Sequence, residues 1–245
     1  MATLGTLPAP GRIWTLTQPL PAYSRPQGPG LATEIHAGRS LRVLGAAPAA
    51  AGAETRLRVR LHEDGYPCWV DAVALERHGQ PVPSPPPLPR LERDRIASRL
   101  EAVLAFAEAA RHRPNRYLWG GTLGPDFDCS GLVQTAFAQA GIWLPRDAYL
   151  QERFCRPVAV ASGVTSLLLP GDLLFFGTLR RCTHVALHLG GGRYLHSSGR
   201  QHGRDGIGVD DLNPRNRDPV ACHYRAELRG AGRVMHSHDG SPLPP

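Results

Sequence analysis

The chain has 245 residues, room for one large or two small domains, and 42% apolar against 20% charged residues supplies a real core and argues against wholesale disorder. Its net charge of +7 rests on 28 basic residues that are all arginine and lie scattered, without the clustered stripe and matching motif of a nucleic-acid footprint, so no nucleic-acid partner is expected. The five cysteines are odd in number and include no Cys-x-x-Cys pair, which fits free thiols in a reducing compartment better than a disulfide framework.

In chain order, Met1-Ala-Thr-Leu-Gly-Thr-Leu-Pro8 shows no basic stretch followed by an apolar one, and no run of about 18 apolar residues occurs that could span a bilayer. The expectation is a soluble, cytoplasmic, monomeric protein without a membrane partner. Short strands are predicted over Arg12–Leu16, Leu31–Ile35, Ser40–Leu44, Thr55–Leu61 and Cys68–Val70, with turns at Pro26–Gly30 and Asp64-Gly65. Thr55–Leu61 alternates strictly, the period of a half-buried strand. Five short strands in this length suggest a small all-β barrel of SH3 type. Gln80–Pro89 is proline-rich and reads as a stiff extended connector. The predicted division is therefore a β domain over 1–80, a linker over 81–90 and a larger domain over 91–245.

Beyond the linker, Ile96, Leu100, Leu104 and Ala107 recur at helical spacing, which predicts one helix over Leu91–Ala110. A second helix is expected from an Asp128 N-cap to Ala140, with Gly141 beyond its end and Leu132, Val133, Ala136, Phe137 and Ala140 on its apolar face. Strands are predicted at Asp172–Phe176, Thr183–Leu189, Arg193–Ser197 and near Gly232–Met235. Helices followed by strands make an α+β pattern.

Cys129 opens the second helix, where the positive end of the dipole and unpaired N–H groups favour a thiolate. Thr183–Ser198 reads as a β-hairpin turning on Gly190–Gly192. A turn centred on Gly190 sets His184 directly opposite His196, with Cβ atoms about 4.5–5.5 Å apart. That arrangement has the logic of nucleophile, base and orienter: Cys129 attacks a carbonyl, His184 moves the proton, and His196 fixes the His184 tautomer. Backbone N–H groups near Cys129 and Ser130, and the Tyr117 hydroxyl, are candidate oxyanion donors. His188 shares the face of His184 but is expected to oppose Gly192, which has no side chain to support it.

Other signals carry less. His236-Ser-His238 reads as a solvated tail. Cys182-x-His184 lacks a second pair with ligand spacing, so neither a metal nor a cofactor is expected. Gly120–Pro125 lacks the ending of a phosphate loop. Cys155, Cys182 and Cys222 read as structural or surface thiols.

The motifs Tyr117-Leu-Trp-Gly-Gly121, Asp128-Cys-Ser-Gly131, Leu144-Pro-Arg-Asp-Ala148, Gly171-Asp-Leu-Leu-Phe-Phe176, Thr183-His-Val-Ala-Leu187 and His196-Ser-Ser-Gly199 resemble, in order, the NlpC/P60 family of cell-wall cysteine peptidases. Leu31-Ala-Thr33, Gly38-Arg-Ser-Leu-Arg-Val43 and Glu63-Asp-Gly-Tyr-Pro-Cys-Trp69 resemble the N-terminal bacterial SH3 domain of the cyanobacterial-type γ-D-glutamyl-L-diamino acid endopeptidases. The resemblance implies a papain-like catalytic domain behind an SH3-like barrel. It also implies hydrolysis of the bond between γ-D-Glu and a diamino acid in peptidoglycan stem peptides that carry a free N-terminal L-Ala, in wall-peptide recycling. By motif position Trp119, Asp128, Ser130 and Asp147 resemble substrate-groove residues, and Tyr66 a contact to the L-Ala end. Arg146 is open to two roles, pairing with Asp147 or steering an acidic substrate. Cys68 departs from an expected Gly, where a side chain would narrow the groove entrance. The alternatives are a wall-peptide-binding protein or an amidase on the same fold.

Overall fold

The structure is a computed structural model that describes residues 7–47 and 55–241; residues 1–6, part of the segment read for a leader, lie outside the described residues. The chain divides into two compact units, Met1–Leu88 and Pro89–Pro245.

The first unit contains β1 (Ile13–Leu16), β2 (Leu20–Tyr23), β3 (Leu31–Ile35), β4 (Ser40–Ala46), β5 (Arg56–Leu61), β6 (Pro67–Asp71), α1 (Ala72–His78) and β7 (Gly79–Val82). The strands form one antiparallel sheet in the order β3-β2-β6-β5-β4-β1-β7. The alternation of β5 does what its period demands: Leu57, Val59 and Leu61 are buried, Arg58 and Arg60 exposed. Val59 pairs with Val43 on one side and Cys68 on the other, which builds the core from cross-strand neighbours. Each such aliphatic side chain contributes about 1.5–3 kcal/mol on burial.

Two strands and a helix exceed the predicted five strands. Pro21 hid β2, yet β2 meets β6 only at Tyr23↔Trp69, so proline interrupts no extended ladder on that side. The Asp71 carboxylate caps α1 by accepting from the Ala74 N–H at 2.7 Å. The expected linker starts too early, because Gly79–Val82 pairs with β1 as an edge strand, a position that tolerates Pro81. Cys68, expected at a groove entrance, is 2% exposed and packs inside the β core of this unit.

The second unit runs α2 (Arg93–Ala97), α3 (Leu100–Arg111), α4 (Cys129–Gln139), α5 (Ala148–Phe154), β8 (Arg156–Val158), β9 (Leu173–Gly177), β10 (Cys182–Gly190), β11 (Arg193–Ser198), a 3₁₀ turn (Arg200–His202), β12 (Gly206–Asp211), α6 (Pro219–Ala226) and β13 (Leu228–Arg233). The predicted single helix over Leu91–Ala110 is two. At the break the Ser98 hydroxyl donates back to the Arg95 carbonyl, and Arg99 donates to the Ala140 carbonyl at the end of α4. The strands form an antiparallel sheet ordered β12-β11-β10-β9-β13-β8. One set of side chains, including Leu173, Phe175, Val185, Leu187 and Leu195, joins α3, α4 and α5 in the larger core. The alternate set, Leu174, Phe176, Ala186 and Tyr194, packs with Val220 and Tyr224 of α6. The C-terminal histidines differ: His236 is exposed, as expected, but the segment beyond it is not a solvated tail. Ser237 and His238 are buried, and the His238 N–H donates to the Trp143 carbonyl. No helix among the described residues is long and apolar enough to cross a membrane.

Candidate active site

The start of α4 is built around Asp128. Its carboxylate accepts from the N–H of Gly131 at 2.6 Å, capping the helix, and from the N–H of Gly120 at 2.8 Å, anchoring the preceding loop. Arg146 then clamps it from above with both guanidinium nitrogens, at 3.1 and 2.6 Å. The Ser130 hydroxyl accepts from Arg146 at 2.9 Å and donates to Asp128 at 3.3 Å. Arg146 is 2% exposed and forms an ion pair with Asp128 inside the protein. Both carboxylate oxygens of Asp128, expected in the substrate groove, thus accept hydrogen bonds from the fold. Gly131 is required here because a Cβ would overlap the Gly121 carbonyl oxygen and come within 2.9 Å of Asp128 Oδ1.

This scaffold holds Cys129 with its sulfur facing the backbone N–H groups of Ser130 and of Val185, the residue after His184. Cys129 is 5% exposed. Among the described hydrogen bonds none joins its sulfur to His184, and apo catalytic pairs are commonly loose until substrate arrives. His184 Nε2 and His196 Nδ1 lie 2.8 Å apart, as the orienter relation requires. The register that achieves this differs from the predicted one. Gly191 and Gly192, with φ of 59° and 76°, form a two-residue turn, so Gly190 pairs with Arg193 and His188 with Tyr194, not Gly192. His184 and His196 are therefore diagonal neighbours instead of direct opposites. A shift of two residues keeps both on one face of the sheet, whereas a shift of one would have separated them.

Three residues missed in the sequence complete the surroundings. His196 Nε2 lies 2.7 Å from Asp210 Oδ2, and Arg204 Nη2 lies 2.8 Å from the same oxygen. The Tyr224 ring stacks on His184 with centroids 4.3 Å apart. A strand position twelve to fourteen residues from its partner leaves no local spacing signal, although Asp210 does sit in an alternating Gly206–Asp211 segment. His188 has a structural role: Nδ1 donates to the Leu169 carbonyl at 2.9 Å, and Nε2 accepts from the Gly192 N–H at 3.2 Å.

Burial decides the protonation states. It pushes the Cys129 thiol up to about 12, with Asp128 adding to the rise and the two backbone N–H groups and Arg146 opposing it. Burial, then His196, His202 and His223, holds His184 well below its ordinary value. Both shifts favour a neutral thiol beside a neutral imidazole at rest, so the thiolate expected from the helix dipole gives way to desolvation. Burial, then Cys129 and Asp128, raises the half-buried Tyr117 and keeps its hydroxyl a donor.

Trp119 is 72% exposed and packs in no core. Asp147 precedes α5 and accepts a hydrogen bond from Tyr149. Tyr66 belongs to the first unit, where it packs against the β core.

Residues 114–221 match the NlpC/P60 family and residues 22–75 the bacterial dipeptidyl-peptidase SH3 domain. The bifunctional muramidase/DL-endopeptidase CwlT of Bacillus subtilis is 40% identical over 132 residues, 52% of this chain and 35% of CwlT. A probable endopeptidase of Mycobacterium tuberculosis is 37% identical over 113 residues, 46% of this chain and 27% of its own length. This chain thus spans about a third or less of these relatives. A solved NlpC/P60 family protein from Bacillus cereus is 24% identical, with 92% of this chain and 64% of that one covered at a TM-score of 0.47. The chain carries an NlpC/P60-family domain at residues 114–221, following a bacterial SH3 domain at residues 22–75.

Proposed function

We propose that the protein is a cysteine endopeptidase that hydrolyses the bond between γ-D-Glu and a diamino acid in peptidoglycan stem peptides bearing a free N-terminal L-Ala. The observation that carries this is the pairing of a helix-start cysteine with two hydrogen-bonded histidines on the adjoining strands. The DL-endopeptidase activity in the name of the Bacillus subtilis relative supports it, since a D-Glu to L-diamino acid bond joins a D to an L residue.

In this mechanism substrate displaces water, and the Cys129 proton passes to His184 as sulfur attacks the γ-carbonyl. The Ser130 N–H and the Tyr117 hydroxyl supply donors for the oxyanion. His184 then returns its proton to the leaving α-amine of the diamino acid, and water cleaves the thioester. Asp147 provides a carboxylate for the L-Ala ammonium, and Trp119 an exposed aromatic wall. Five free thiols support a reducing, cytoplasmic setting, which suits recycling of wall peptides.

The test is incubation with L-Ala-γ-D-Glu-diaminopimelate, with mass spectrometry of the products. Free diaminopimelate is expected from wild type and none from Cys129→Ala, and N-acetylation of the L-Ala should lower turnover sharply. Absence of release, with Cys129→Ala binding the peptide as tightly as wild type, would instead make it a wall-peptide-binding protein.

A further inference from the structure

The hydrogen bonds behind the histidine pair have a direction. A carboxylate only accepts, so the 2.7 Å contact between Asp210 Oδ2 and His196 Nε2 places a proton on that nitrogen. A neutral imidazole carries one N–H, so His196 Nδ1 accepts. The 2.8 Å contact to His184 Nε2 must then be donated by His184. Nδ1 of His184 keeps its lone pair. Both rings are buried, at 7% and 0% exposure for His184 and His196, and burial holds both on the neutral side.

We propose that Asp210 is a positioning residue that sets the proton order of this chain and so makes Nδ1 of His184 the catalytic base. The proposal rests on the peptidase reading, in which His184 serves Cys129. Its geometry is built for the purpose. Tyr194 pairs with Asp210 and His196 with Gly208, so Asp210 reaches His196 diagonally across β11 and β12. Gly208 has no side chain, and a Cβ there would overlap the Arg204 guanidinium, which occupies that space to reach Asp210 at 2.8 Å. The Asp210 side chain is 4% exposed; burial raises its pKa, but the His196 hydrogen bond and then Arg204 outweigh it and hold the carboxyl below its ordinary value.

The other titratable groups around the two rings are His202 from the 3₁₀ turn, His223 and Tyr224 from α6, and Tyr194 from β11. The neighbouring histidines disfavour a positive charge on His184, and Glu227 lies 3.7 Å from His223. Asp210 is the carboxylate in direct contact with the pair. It therefore also stabilises the imidazolium that forms when His184 takes the thiol proton.

The experiment compares full-length wild type, Asp210→Asn, Asp210→Glu and Arg204→Ala. Peptide hydrolysis is followed across pH, alkylation of Cys129 by iodoacetamide is followed without substrate, and thermal unfolding confirms the fold. The amide of Asp210→Asn can donate to His196 Nε2, which reverses the proton order and presents an N–H to the sulfur. The corresponding exchange in a Ser-His-Asp triad costs about 10⁴ in kcat, and a loss of about 10²–10⁴ with little change in KM is expected here. Alkylation at neutral pH should slow in parallel, and Asp210→Glu should recover part of both rates. The acid limb of kcat/KM should move in opposite directions. Losing the anion lowers the imidazolium pKa and moves the limb to lower pH. Losing the Arg204 cation raises that pKa and moves it to higher pH. Asp210→Asn with kcat and alkylation within about threefold of wild type, far short of that loss, would overturn the proposal. So would acid limbs that do not move in the folded Arg204→Ala and Asp210→Asn proteins. If wild type hydrolyses no peptide, the peptidase reading fails, and the alkylation rates still judge Asp210.

Discussion

Asp128 stands beside Cys129, and its bonds run inward: it caps α4, ties down Gly120 and pairs with Arg146. Removing one partner of a buried pair leaves an uncompensated charge, a cost of about 3–5 kcal/mol. Asp128→Asn keeps the shape and loses the charge. It should lower stability by about that amount in urea unfolding, with KM per folded molecule little changed. Unaltered stability with a large rise in KM would return Asp128 to the substrate groove. The position of this aspartate as an N-cap is legible in the sequence, because capping is local. Its partnership with Arg146, eighteen residues on, is not. The same limit explains Cys129. Its place at a helix start is a local fact, whereas the depth of burial that raises its pKa is a property of everything packed above it.

Among the elements, α4 and the β10–β11 hairpin set the site. Helix α4 packs closely against the loop that precedes it because Gly131 meets the Gly121 carbonyl without a side chain between them. Gly→Ala in an exposed helix would stabilise by up to about 1 kcal/mol. At residue 131 it should destabilise instead, by about 3 kcal/mol, since the obstructing atom is backbone and cannot turn away. A Gly131→Ala protein as stable as wild type in urea would show that the loop yields. The residue spacing gives the parity of the hairpin correctly and its register two residues off. Parity follows from the alternation of His184, Ala186 and His188, but register depends on which two of three consecutive glycines take positive φ as the turn. Elements rich in proline, such as β2 and β7, were hidden for a different reason: their prolines sit where no ladder bond is needed, which only the neighbouring strands determine.

Taken as a whole, the molecule buries histidines in neutral form, and that has a sign in its response to pH. His184 and His196 have native pKa values below the ordinary 6.5, so the unfolded chain binds more protons than the native one as pH falls. Their contribution is complete above pH 6.5 and is lost progressively below it. Asp210, also shifted downward from 3.8, extends the loss to still lower pH. The thermal midpoint should therefore fall on acidification from pH 6.5, and His184→Asn should flatten that slope; a midpoint independent of pH over this range would contradict the burial of neutral rings. The two-part organisation, the α+β order of the larger part, a cysteine at a helix start and two histidines on one sheet face are all legible in the residues as written. All of these follow from composition and from periods of 2 and 3.6 residues, which the backbone imposes locally. Only the packed fold brings Asp210 and Arg204 behind His196, pairs Asp128 with Arg146 and raises the Cys129 pKa by burial. Those outcomes depend on which distant side chains come within hydrogen-bond reach and how much water packing removes, and neither quantity is written in the spacing of residues along a chain.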